Sequence, residues 1–164
     1  MLLLMAGHVA AQEISIPNSH LRMTLPTGEW EYLSTINIDD KTTAYLYVYT
    51  QQVVTDTLGD TNLPFLRLLV KKDYRGSAYE LAYERFMEQP FQSLNEYTQG
   101  LPSDGIGYVG AYRNRKMSRD YQFRMIYFKD RNTAFEVRLE CEASLYHQFD
   151  QYFDDILHTI KIVK

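Results

Sequence analysis

The sequence predicts an α+β domain: antiparallel β-strands with helices at two separated places in the chain, the C-terminal helix packed on the sheet. Three observations carry that expectation. The last third, Asp120 to Ile162, reads as strand, tight turn, strand and helix. Midway, Ser77-Ala78-Tyr79-Glu80 fits a capping box, in which serine and glutamate satisfy each other's free backbone amides. Upstream, Tyr45, Tyr47 and Tyr49 alternate with Ala44, Leu46 and Val48, a strand with large side chains on both faces and so a place inside the sheet.

Taken in order, Met1 to Ala11 is apolar and ends in small residues, with the first carboxylate at Glu13. That pattern matches the end of a secretory signal peptide cleaved after Val9-Ala10-Ala11. It gives residues 1–12 as a signal peptide or its remnant and residues 13–164 as one α+β domain. The positive n-region is missing, so an upstream start or a buried N-terminal segment are the alternatives. Ile14 to Leu25 holds short extended signals. Leu25-Pro26-Thr27-Gly28-Glu29-Trp30 is a turn, and Trp30 to Ile38 is a strand with Trp30, Tyr32, Ser34, Ile36 and Ile38 on one side. Asp39-Asp40-Lys41 turns the chain into the tyrosine strand. Thr55 to Asn62 is a polar loop around Gly59, and Phe65 to Lys72 is another apolar strand.

The helix after Ser77 is expected to bury a stripe of Tyr79, Ala82, Tyr83 and Phe86, and Pro90 limits it. Phe91 to Gly100 fits a second short helix, and Gly105 to Tyr112 resumes extended structure. In the terminal hairpin, Phe135, Val137, Leu139 and Cys141 alternate with Glu136, Arg138, Glu140 and Glu142, one dry face and one charged face. Lys129 to Asn132 is the turn, where Asn tolerates the left-handed conformation. Leu145, Tyr146, Phe149, Tyr152, Phe153, Ile156, Leu157 and Ile160 then recur at helical spacing, and this stripe covers the dry sheet face.

Composition narrows the function. The chain has 164 residues, 45% hydrophobic and 23% charged, with net charge −4, so nothing draws it globally to nucleic acid or anionic membrane. One cysteine excludes an internal disulfide, and no segment beyond the N-terminus is long and apolar enough to span a bilayer.

Candidate sites reduce under scrutiny. Gly105-Ile106-Gly107-Tyr108-Val109-Gly110 has dinucleotide-loop spacing, but no amphipathic helix follows, and it reads as a glycine-rich strand. His147, Asp150, Asp154 and His158 share a helix face that reads as a solvated stripe rather than a metal site. Cys141 reads as a packed thiol, and the Tyr45, Tyr47, Tyr49 row as core packing rather than a sugar platform. No catalytic residue, metal ligand or cofactor motif is assigned. The one dense basic cluster, Arg113, Arg115, Lys116 and Arg119, is the candidate partner-binding site: arginine forks grip carboxylate or phosphate with paired hydrogen bonds.

The entry Leu25-Pro26-Thr27-Gly28-Glu29-Trp30 resembles the Pro-x-Gly-Trp opening of PsbP-like and DcrB-like domains, with one extra residue before the tryptophan. The middle helix and the closing strand–strand–helix, ending Phe153-Asp154-Asp155-Ile156-Leu157-His158-Thr159-Ile160-Lys161-Ile162, resemble that superfamily too. The likeness runs from Ile14 to Lys164. It implies an α-β-α sandwich around an antiparallel sheet and a non-catalytic exported envelope or accessory protein binding a protein or envelope component. A photosystem extrinsic subunit and a Ran-binding nuclear factor share that fold with different partners, so it transfers no activity or functional residue. The competing classes are a pocket protein holding a small ligand and an enzyme whose residues converge from distant loops.

Overall fold

Ten strands and two helices form among the residues described by the computed structural model, 11–16, 19–51, 59, 63–102 and 104–163. In chain order they are β1 (Ala11–Ser15), β2 (Leu21–Pro26), β3 (Trp30–Asn37), β4 (Thr42–Tyr49), β5 (Phe65–Lys71), α1 (Ala78–Glu88), β6 (Ser93–Tyr97), β7 (Ile106–Asn114), β8 (Arg119–Asp130), β9 (Thr133–Glu142), α2 (Tyr146–His158) and β10 (Lys161–Ile162). Seven strands make one antiparallel sheet in the order β3-β4-β5-β9-β8-β7-β6, and β1, β2 and β10 make a second. The expected α+β sandwich is what the chain forms. Residues 1–10 of the expected signal segment, and most of the expected loop from Thr55 to Asn62, lie outside the described residues. The expected domain boundary at residue 13 falls within β1, whose Ala11 and Gln12 already pair with Pro26 and Leu25.

The terminal hairpin is the middle of the large sheet, because β9 pairs with β5 on one side and β8 on the other. Its dry face meets α2 as the periodicity requires. Phe135, Val137, Leu139 and Cys141 form one core with Tyr146, Phe149, Phe153, Ile156 and Leu157 of the helix. The small sheet closes this core, contributing Ile14, Leu21, Met23 and Leu25. Trp30 ties the chain's entry to the same layer: its Nε1 donates to the Tyr152 hydroxyl at 2.9 Å, and Tyr49 meets both rings edge-on. The tyrosine row therefore faces α2.

Four local expectations are corrected. Ser93–Tyr97 is strand β6 rather than a helix; its backbone completes the pairing of β7, which alternates on both faces and offers a free edge. A bulge between Tyr32 and Ser34 shifts the β3 register, so Ser34 and Ile36 lie opposite the face of Trp30 and Tyr32. The two-residue turn after β8 puts Arg131, not Asn132, at positive φ (54°). On α1 the capping box is present, with Glu80 N–H donating to Ser77 Oγ at 3.1 Å and Ser77 N–H to Glu80 Oε2 at 2.6 Å. The buried stripe, however, is Ala78, Leu81 and Ala82, while Tyr79 and Tyr83 point outward. The small alanines let α1 approach the sheet closely.

Gly110 settles the glycine-rich stretch. A side chain there would meet Ser93 O and the Phe123 ring at 2.4 and 2.6 Å, so glycine serves close strand and ring packing within β7. In urea denaturation, Phe153→Ala, at a fully buried ring, is expected to lose about 3–5 kcal/mol. Met87→Ala, on exposed α1 surface, is expected to stay within about 0.5 kcal/mol. Similar midpoints for the two would place α2 off the core.

Candidate interaction surfaces

The middle of the charged face of β9, Glu136 and Arg138, does not meet water. Glu136 is wholly buried beneath α1, where Arg67 Nε of β5 donates to Oε1 at 3.1 Å and Arg85 Nε of α1 to Oε2 at 3.2 Å. Burial alone would raise its pKa, but Arg67, Arg85 and Arg138 prevail and hold it at about 2. Arg138, also buried, lies 4.5 Å from the centre of the Phe123 ring and 4.7 Å from that of Tyr112. Its Nη1 donates to Gln89 Oε1 at 2.8 Å, and Nε lies 2.6 Å from Glu140. Sequence reasoning missed this network, because Glu and Arg alternating with apolar residues read as a solvated face. The available signal was β8, apolar on both sides over Phe123 to Phe128, which requires cover on both faces of its neighbour.

The other polar candidates are similarly occupied. Arg124 of β8 donates to Asp150 at 2.9 Å and to Asp154 at 2.8 Å, so the carboxylates of the helix stripe grip a guanidinium. His158 Nδ1 faces the Asp154 carbonyl at 2.8 Å. Burial pushes the Cys141 thiol pKa up, away from reactivity.

The basic cluster occupies the β7–β8 hairpin. Arg113 pairs with Asp120 at 3.1 Å, and Arg119 pairs with Glu142 at 2.9 Å. Arg115 and Lys116 sit exposed at the tip with Met117. The structure thus leaves three of the four at the solvent surface, Arg113 among them despite its ion pair, and turns Arg119 back onto the sheet.

A larger surface lies across the α1 side of the sheet. Seven strands about 4.8 Å apart span roughly 29 Å, whereas one helix covers about 10 Å. α1 packs over β8 and β9. On the half built by β3, β4 and β5, Ile36 and Phe65 are exposed, and Leu46 and Val48 are half-buried. Leu33 at the bulge and Ile38 beyond it are each about half exposed, along the same sheet edge. Among the described residues no helix is long and apolar enough to cross a membrane.

No family model matches the sequence, and no curated protein matches it. Solved structures do. The cyanobacterial PsbP of Synechocystis sp. PCC 6803 superposes with a TM-score of 0.60 at 9% identity, over 96% of this chain and 95% of that one. The chain has the PsbP-like fold. A variant of the protein Mog1 follows at TM-score 0.58 and 12% identity, over 94% and 97% of the two chains. LpqN of Mycobacterium tuberculosis, described as involved in cell envelope biogenesis, gives 0.50 at 13% identity, over 94% and 92%. At these identities the likeness concerns the PsbP-like fold alone, and the sites are argued from this chain's own side chains.

Glu136 makes the acid stability of this PsbP-like domain testable. Its pKa is depressed from 4.5 to about 2, so its contribution is complete above pH 4.5 and lost as pH falls through about 2. Glu136→Gln is expected to cost about 3–5 kcal/mol at neutral pH, because two guanidiniums lose their buried counterion. Its urea midpoint should also fall less steeply than wild type between those pH values. Equal slopes would assign the acid sensitivity to other groups.

Proposed function

We propose that this chain is a non-catalytic accessory domain that binds a protein or envelope component outside the cytoplasm. The observation that carries the reading is the open half-sheet formed by Ile36, Leu46, Val48 and Phe65. The surface carries these apolar side chains beside Glu31 and Arg67 and lies next to α1, with room for one more helix. The occupant this fits is an amphipathic helix of a protein partner, laid beside α1 to complete the second helical layer. The ionisable groups of the interior support a non-catalytic role, since Glu136, Arg138 and Arg124 are spent on structural pairs. The apolar Met1 to Ala11 segment, and a fold shared with an envelope-biogenesis protein, support a place outside the cytoplasm.

The basic cluster Arg113, Arg115, Lys116 and Arg119 is proposed as a second contact, with Arg115 and Lys116 reaching an acidic patch on the partner. Arg113 and Arg119 hold the hairpin beneath them.

A photo-crosslinking residue at position 36 is expected to join the protein, in its own host, to one partner of discrete mass. The same residue at position 32, on the opposite face, should not. With the crosslinker kept at position 36, Leu33→Lys with Ile38→Lys, both exposed along the same edge, should abolish that adduct without moving the thermal midpoint. Arg115→Gln with Lys116→Gln should weaken it more at low salt than at high. Identical products from positions 32 and 36 would defeat the sheet-face reading.

Export has its own measurement. The native protein should begin near Gln12 or Glu13 by N-terminal sequencing, and an intact Met1 in the cytoplasmic fraction would overturn it.

A further inference from the structure

Where β8 turns into β9, two cavities of about 640 Å³ and about 500 Å³ adjoin. Asp104, Lys129 and Arg131 line both, and Lys161 of β10 lines the second. Lys129 Nζ donates to the Gly76 carbonyl at 2.5 Å and lies 5.6 Å from the centre of the Tyr74 ring, so its charge is fixed in place without being neutralised. Among the described residues no carboxylate lies within ion-pair distance of Lys129, Arg131 or Lys161. The acids closest to them are engaged elsewhere. Asp130 faces His20 Nδ1 at 2.8 Å, and Glu80, which feels the Lys129 charge, closes onto the Ser77 amide at 2.6 Å. Asp104 and Asp130 are the wall carboxylates, so three cations face two acids in an otherwise acidic chain.

The backbone singles out the same place. Asp130 pairs with Thr133, leaving Arg131-Asn132 as a two-residue hairpin turn whose first residue has φ 54°. A turn with positive φ at that position alone favours glycine, and an arginine there is strained. Across the groove Asp104 is also left-handed, at φ 61°.

We infer that the two cavities form one groove for a phosphate group, carried by a soluble phosphomonoester or by a lipid headgroup. Lys129, Arg131 and Lys161 against Asp104 and Asp130 leave an excess of about one positive charge, the sign that a phosphomonoester at −1.5 to −2 requires. The Arg131 fork takes two phosphate oxygens and the lysines act as point charges. Ile106 on one side and Ile160 and Ile162 on the other give the ester's carbon body an apolar wall. The groove is separate from the open half-sheet, so either assignment can fail without the other.

The test uses the full chain with three probes: inorganic phosphate, phenyl phosphate, and phosphatidylcholine vesicles with or without phosphatidic acid. Calorimetry should show saturable binding of phenyl phosphate, tighter than of inorganic phosphate. Lys129→Gln and Lys161→Gln should each weaken it about tenfold, the loss of one charge-assisted contact. Arg131→Gly should weaken it similarly while raising the thermal midpoint, because glycine relieves the turn, so lost binding cannot be blamed on unfolding. Arg115→Gln with Lys116→Gln should leave it unchanged. Binding of phenyl phosphate alone identifies a soluble ester as the source; binding only to vesicles containing phosphatidic acid, with the same variant pattern, identifies a headgroup. No saturable binding to any probe, or equal losses from the hairpin-tip variant, would overturn the groove.

Discussion

Glu136 sits at the centre of the central strand, and much of the α1 side follows from how its charge is kept. A carboxylate without access to water must be met by cations and hydrogen bonds. Arg67 arrives from the neighbouring strand and Arg85 from the helix above. That second contact fixes the rotation of α1: turning Arg85 toward the sheet carries Ala78, Leu81 and Ala82 inward with it and leaves Tyr79 and Tyr83 outside. Arg138 extends the polar layer along β9, stacked against aromatic rings. A hydrophobic replacement of similar volume could match or exceed this network in stability, so a buried charge cluster is better read as fixing position.

The two sides of the sheet are consequently unlike. On the α2 side, helix, small sheet and tyrosine row exclude water through a continuous apolar core. On the other side a single helix, held over β8 and β9 by the charge network and by a smaller apolar cluster of Leu81 and Ala82 with Phe123, Met125 and Tyr127, leaves β3, β4 and β5 partly bare. The dry side supplies most of the apolar burial that stabilises the domain. The thinner side can expose apolar area because that stability is secured elsewhere.

What could be read from the sequence was whatever repeats with a fixed period. The terminal hairpin, α2, the tyrosine strand and the capping box at Ser77 each depend on near neighbours and took the expected form. Long-range pairing decided what could not be read. Strand β6 became a strand because β7 had a free edge, and the β3 bulge reversed a face that strict alternation had assigned. The β9 charges pointed inward because β5 and α1 brought arginines from 69 and 51 residues away. For the candidate site, the basic cluster gave the right location for a hairpin tip but not its internal ion pairs. The phosphate groove gave no signal, since Lys129, Arg131 and Lys161 come together only through the placement of β10.

That last point bears on where recognition can sit in a PsbP-like domain. Side chains in the sheet interior are committed to pairs and packing, so changing one disturbs several others. The turns at the sheet's end carry no such burden: Asp73, Asp104 and Arg131 all take left-handed backbone there, conformations an optimised turn would give to glycine. A stable interior can tolerate that local cost, and two of these positions, Asp104 and Arg131, place charge beside two cavities. The fold is therefore shared with proteins of quite different sequence, while the charges facing the groove belong to this chain's turns and its last strand. Fold similarity alone could not have located them.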